Sequence, residues 1–280
     1  RDTRIVHRLE LRDSNGNLID PTSGGVSAKV TDSAGIEITG SPYSAVGAGV
    51  GLYDITILPA NAATLDVYDV EWTALISTTN EKRRTQYEVV ERFLFEISEL
   101  REFNSQVTVG KYSSPKVARA REIAQETFET QCGVAFRPRG RRASLEGSGG
   151  QELLMGDLFP RKVVSGAIDD VALSSADLTD LELADWGVAT RKERGIWPRG
   201  AQVDLVYEYG MDQAPAEVKR ECMVLAGALL ISSATPDRAV SMSTAGETFA
   251  LSVAGRDGPT GIPSVDAVIA RFDHTIPSLA

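Results

Sequence analysis

Tyr68-Asp69-Val70-Glu71-Trp72-Thr73-Ala74 puts Tyr68, Val70, Trp72 and Ala74 on one side of an extended chain and Asp69, Glu71 and Thr73 on the other. That period of two predicts a half-buried β-strand. Working outward, Tyr53, Ile55 and Ile57 alternate with Asp54 and Thr56 in the same way. Leu9, Leu11 and Leu18 flank Asp13-Ser14-Asn15-Gly16-Asn17, in which Asn15-Gly16 is a strong two-residue hairpin signal. Ala28 and Val30 precede a second turn, Asp32-Ser33-Ala34-Gly35, which leads to Ile36 and Ile38, and Gln86 to Val90 supplies a closing strand. Strands at spacings of roughly 8–14 residues with no helix between them predict an all-β sandwich domain over residues 1–95.

The bulk properties set the limits. The chain has 280 residues, of which 42% are hydrophobic and 24% charged, the balance of a folded protein of about two domains. A formal net charge of −10 argues against a protein that grips nucleic acid through its overall field. The two cysteines, Cys132 and Cys222, cannot build a disulfide framework and read as small buried hydrophobes of a reducing compartment. The charged opening from Arg1 to Glu10 does not read as a signal peptide, and the longest apolar run, Cys222 to Ile231, is too short to span a bilayer, so a soluble protein is expected.

Near residue 95 the period changes. Ser98 to Phe103 reads as a short helix, and Ser114 with Pro115 opens a longer one that Gly133 closes. Within it Val117, Ala120, Ala124 and Phe128 form one apolar stripe. A further helix starts near Pro215 and presents Val218, Cys222, Leu225, Ala226 and Leu229, so Cys132 and Cys222 are expected in a shared core. Short strands are predicted between these helices at Arg161–Ser165, Ala189–Lys192 and Val203–Tyr209, and a polar loop or hairpin over Ser241–Ala254. The expected class is α+β in two domains: the sandwich, then a mainly α-helical domain over 96–256 with inserted short strands, followed by a tail at 257–280. In that tail Val265, Val268, Ile269 and Phe272 make an apolar stripe with two destinations, back onto its own domain or onto a partner chain, the second being preferred here.

Catalytic patterns are missing from the text. Two histidines near opposite ends, His7 and His274, and no G-x-S-x-G turn leave nothing for a hydrolytic triad. Gly47-Ala48-Gly49-Val50-Gly51 opens no helix and reads as a β-turn region, not a phosphate cradle. Asp13 to Asn17 starts like a calcium loop, but Leu18 and Gly24 stand where that loop needs Gly and Glu, so a hairpin turn is expected. The acidic group Asp169, Asp170, Asp177, Asp180, Glu182 and Asp185 could hold a cation but reads as solvated surface. No cofactor and no metal are expected, nor an enzymatic activity. Arg137, Arg139, Arg141 and Arg142 form the one strong positive patch, expected in a loop, where it is either solvated or in contact with DNA phosphates or an acidic partner.

Two resemblances add to this. Asp66-Val67-Tyr68-Asp69-Val70 resembles the tyrosine corner of immunoglobulin-like sandwiches, with Val70 where antibody domains carry cysteine. Ser98 to Phe103, Ala118 to Phe136, Gly195-Ile196-Trp197-Pro198, Val203 to Gly210, Ala214 to Lys219 and Pro263 to Ile269 together resemble the head-to-tail connector (adaptor) proteins of tailed double-stranded DNA phages. That resemblance implies a virion protein of the capsid–tail neck, assembled in the host cytoplasm. It implies a homo-oligomeric ring, a dodecamer, lying under the portal protein, which extends the DNA channel and meets the next neck or tail protein (a stopper or tail terminator). DNA would pass through without sequence-specific binding and no membrane would be involved, and Val265, Val268, Ile269 and Phe272 would dock on the portal. The residues also allow a different class, an immunoglobulin-like adhesion or carbohydrate-binding module on a helical base.

Overall fold

The computed structural model describes residues 5–22, 24–61, 63–76, 79–193, 195–231, 241–244, 247–250 and 258–274. Its helices are α1 (Ile97–Phe103), α2 (Ser114–Cys132), α3 (Ser175–Thr179), α4 (Ala216–Leu230) and α5 (Pro263–Arg271). The chain divides into two compact units, each made of separated stretches: 1–92 with 138–210, and 93–137 with 211–280.

The first unit opens with strands β1 (Ile5–Glu10), β2 (Ser27–Thr31), β3 (Tyr43–Ser44), β4 (Val46–Gly49), β5 (Leu52–Ile57), β6 (Asp66–Ile76) and β7 (Thr79–Val89). They form two sheets, ordered β3-β2-β6-β7 and β1-β5-β4. The inward positions of both share one core, with Ala28, Val30, Ile55, Ile57, Val70 and Trp72 all at most 1% exposed. The period-two reading therefore selects the right face of β5 and β6, and the segment is a two-sheet sandwich. Asp13 and Asp32 build its turns by accepting backbone N–H groups two and four residues ahead. Tyr68 is buried, and its ring stacks on Tyr87 at 5.0 Å between centroids. No hydrogen bond from its hydroxyl to upstream backbone is found among the described residues. Burial, with the Asp66 and Asp32 charges, pushes that hydroxyl up to about 12.

The expectation of a mainly α-helical region after residue 95 is overturned. Strands β8 (Arg139–Glu146), β9 (Glu152–Leu154), β10 (Pro160–Ile168), β11 (Val171–Ala172), β12 (Leu181–Ala184), β13 (Val188–Arg191) and β14 (Gln202–Tyr209) turn 139–209 into a β module in its own right. Its sheets are ordered β11-β10-β14-β8 and β12-β13-β9. They close over Trp197, Val203, Leu205 and Tyr207, all fully buried. The predicted strands at 161–165 and 203–209 lie within β10 and β14, and that at 189–192 overlaps β13 except for Lys192, which lies beyond its end. The rest escaped because β8 is rich in arginine and β9, β11 and β12 are too short to show a period.

The β module joins the sandwich in the first unit through close backbone approach. A Cβ placed on Gly140 would lie 1.8 Å from the Leu65 carbonyl oxygen. Beside it, Arg139 grips Glu88 with two hydrogen bonds of 2.5 and 2.7 Å. Arg161 pairs with Glu91 at 3.0 Å and with Glu208 at 3.5 Å.

The second unit is helical. α2 and α4 pack along their apolar stripes, and α1 and α5 lie against them. Gly133 ends α2 in the left-handed conformation at φ 64°, where glycine carries no steric cost. Pro115 and Pro263 sit in the first turns of α2 and α5, as their missing N–H allows. Glu96 caps α1, which starts one residue before the predicted Ser98, through a reciprocal capping box with Glu99. Cys132 and Cys222 are free thiols in this core, and burial pushes the Cys132 thiol up to about 11. Strands β15 (Ser241–Thr244) and β16 (Glu247–Ala250) pair with each other as a hairpin. Residues 232–240, 245–246 and 251–257, which include the remainder of the predicted Ser241–Ala254 loop or hairpin, lie outside the described residues.

Gly140→Ala should drive backbone against backbone and lower the stability of the first unit by about 1–3 kcal/mol, read as a fall in the urea midpoint with the helical signal of the second unit unchanged. His7 gives a second expectation. Its Nε2 lies 2.8 Å from Thr85 Oγ1, which also accepts the Trp72 indole N–H at 2.7 Å, and burial lowers its pKa below 6.5. The folded state thus favours the neutral ring, and the unfolded chain takes up the proton first as pH falls below the ordinary histidine value. Protection factors of β6 and β7 amides against hydrogen exchange should drop between pH 7.5 and 5.5, and His7→Gln should remove that pH dependence.

Candidate functional site

Only Arg137 of the arginine patch lies in a loop, the other three being on a strand, and its members do not share one environment. Arg137 is buried in the helical unit, where its Nε lies 3.3 Å from Glu129 and its Nη1 donates to Gln125 at 3.1 Å. Glu129 in turn accepts the Phe136 backbone N–H, so this arginine holds the α2 terminus and is unavailable to DNA or a partner. Arg139, Arg141 and Arg142 lie on strand β8 of the first unit. Arg139 is spent on Glu88, and Arg141 pairs with Asp157 at 2.6 Å. The Arg141 guanidinium remains half exposed. Arg142 is exposed and has no hydrogen-bond or ion-pair partner among the described residues.

These strand arginines line a cleft of about 500 Å³ together with Ser33, Asp66, Glu88, Ser144, Asp204 and Tyr209. β6 positions Asp66 at its first residue, where the carboxylate accepts the Ser33 hydroxyl at 2.9 Å and the Val67 N–H at 2.8 Å. Asp204 accepts from the Gln202 side chain at 3.0 Å. Burial raises the Tyr209 hydroxyl, against the pull of Arg139, and it raises Tyr207, whose hydroxyl donates to Asp157 at 2.5 Å. Raised phenols stay protonated at neutral pH and are neither bases nor nucleophiles. Three arginines facing Asp66, Glu88 and Asp204 leave the lining formally balanced, so the cleft carries no strong field for an anion. Of its charged residues, only Arg142 has neither a hydrogen-bond nor an ion-pair partner among the described residues. Asp66, Ser33, Glu88 and Tyr209 had no signal in the sequence, because only the tertiary fold brings them together.

The apolar stripe of the tail helix faces inward. Val265, Val268 and Ile269 are 0%, 8% and 4% exposed, and Phe272 meets Phe136 edge to face at 6.0 Å. α5 lies against α2 and α4, its Arg271 pairs with Glu217, and the His274 N–H donates to the Cys132 carbonyl at 2.8 Å. Of the two destinations open to this stripe, its own core is the one occupied.

The acidic group is dispersed in local roles. Asp177 caps α3 at Ser174 and pairs with Arg191 at 3.0 Å, Asp180 accepts the Glu193 N–H, and Glu182 meets Lys192 at 3.2 Å. Among the described residues no three His, Cys, Asp or Glu side chains converge as a metal site. No helix among them is long and apolar enough to cross a membrane.

Ile269→Ala should destabilise the helical unit by about 2–5 kcal/mol, seen as an earlier loss of the far-ultraviolet helical signal on heating. No protein-family model matches this chain, and no curated protein matches it.

Proposed function

We propose that this chain is a structural head-to-tail connector of a tailed phage, a non-enzymatic subunit that assembles as a ring under the portal, extends the DNA channel and joins capsid to tail in the virion neck. One observation carries the reading. Four of the six segments behind the connector resemblance, at 98–103, 118–136, 214–219 and 263–269, supply α1, α2, α4 and α5, which pack against one another in the second unit, while the other two, at 195–198 and 203–210, belong to the first. Residues so far apart in sequence converge as parts of one scaffold, with the β module inserted between α2 and α4.

The chemistry supports the same reading. Arg139, Glu88 and Arg141 of the cleft are tied up in bracing pairs, and its Tyr209 is held protonated. A net charge of −10 gives DNA little to hold, which suits a conduit through which it slides. The partners are copies of the chain, the portal and the next neck or tail protein. The portal contact does not use the α5 stripe, which its own core covers.

Purified chain mixed with portal particles should add a ring of density beneath the portal in electron micrographs. Bare portal vertices at saturating chain would remove the connector reading.

A further inference from the structure

The sheet ordered β11-β10-β14-β8 ends on two strands of unlike charge; among the described residues no further strand hydrogen-bonds either end, and β6 lies against the start of β8. At one end stands β8. The Gly147 N–H donates to the Ala201 carbonyl at 2.9 Å, which fixes the phase of the β8–β14 ladder. Odd-numbered residues of β8 bond β14, while Gly140, Arg142, Ser144 and Glu146 turn their backbone N–H and C=O outward. Pro138 agrees with this phase, because its carbonyl accepts the Glu91 N–H at 3.4 Å. Gly140 is covered by Leu65. Arg142 and Ser144 keep outward backbone groups with no partner among the described residues, as does the Arg142 guanidinium.

At the other end, β11 follows the two-residue turn Asp169-Asp170, both at positive φ (46° and 65°). The Asp169 carboxylate is spent on the Gln202 N–H at 2.9 Å. Asp170 is exposed, with no partner among the described residues, and Val171 beside it is 71% exposed.

Strand sense makes the two ends compatible. β11, β10, β14 and β8 alternate in direction, so the two edge strands run oppositely. Copies stacked in the same orientation therefore meet antiparallel, β8 against β11. We infer that β8 of one copy adds to β11 of the next and that this contact, repeated head to tail, builds the ring; the inference rests on the connector reading above. Arg142 then stands opposite Ala172 and Ser144 opposite Asp170, so that Arg142 lies diagonally across from Asp170 and Val171 is covered. Sheet twist turns each added copy relative to the last, which lets a heterologous contact close on itself. Charge also excludes the wrong pairing, since β8 against β8 would set Arg142 near its own counterpart.

The test uses the full chain and sedimentation velocity, with portal particles present and absent. Arg142→Glu and Asp170→Lys should each weaken ring formation by about tenfold or more through like-charge contact, and the double variant should recover it. Ser144→Pro deletes only an outward N–H, so it should lose assembly while its melting temperature stays near that of the unaltered chain. Rings that persist in both single charge variants and in Ser144→Pro would overturn the inference and leave the connector reading standing. Single variants that fail without rescue in the double would overturn the Arg142–Asp170 pairing. An unaltered chain that stays monomeric on portal particles would overturn both.

Discussion

The first unit depends on the approach of the Gly140 backbone to Leu65 and Asp66. No other residue type fits there, because any side chain would need the space of the Leu65 carbonyl. That contact sets β8 beside the start of β6, and Arg139 then reaches Glu88 from the adjacent position. The cleft lies along the remainder of β8, with Arg139, Arg141 and Arg142 in its lining.

The charges in this chain mostly serve cohesion. Arg139, Arg161 and Arg191 are each paired within the first unit, and Arg137 with Glu129 and Gln125 forms a buried polar cluster in the second. A buried pair of this kind is a weak source of net stability, but loss of one partner strands the other charge away from water. The arginines therefore act mainly as geometric restraints. Arg142 is the exception within its cluster, with no partner among the described residues.

Legibility in the sequence followed the range of the physics involved. Alternation exposed β5 and β6 because each presents one face to a core. The stops and starts at Gly133, Pro115 and Pro263 exposed helix ends because capping is local. β8 stayed hidden because Arg139-Gly140-Arg141-Arg142 has the composition of a solvated loop, and pairing with β14 overrides that local preference. The tail stripe was legible as a stripe, but its destination was not, since an apolar face looks the same whether its cover comes from its own chain or another.

From the sequence alone came the sandwich strands, the principal helices, the free buried cysteines and the absence of a catalytic pattern, all carried by neighbours within a few positions of one another. Tertiary structure alone decided that 139–209 forms a β module, that residues up to 92 join 138–210 in one unit, that Arg137 is buried and that α5 fills its own core. Those outcomes rest on contacts between residues tens to hundreds of positions apart, whose free energy depends on shape and burial that no short window of sequence contains.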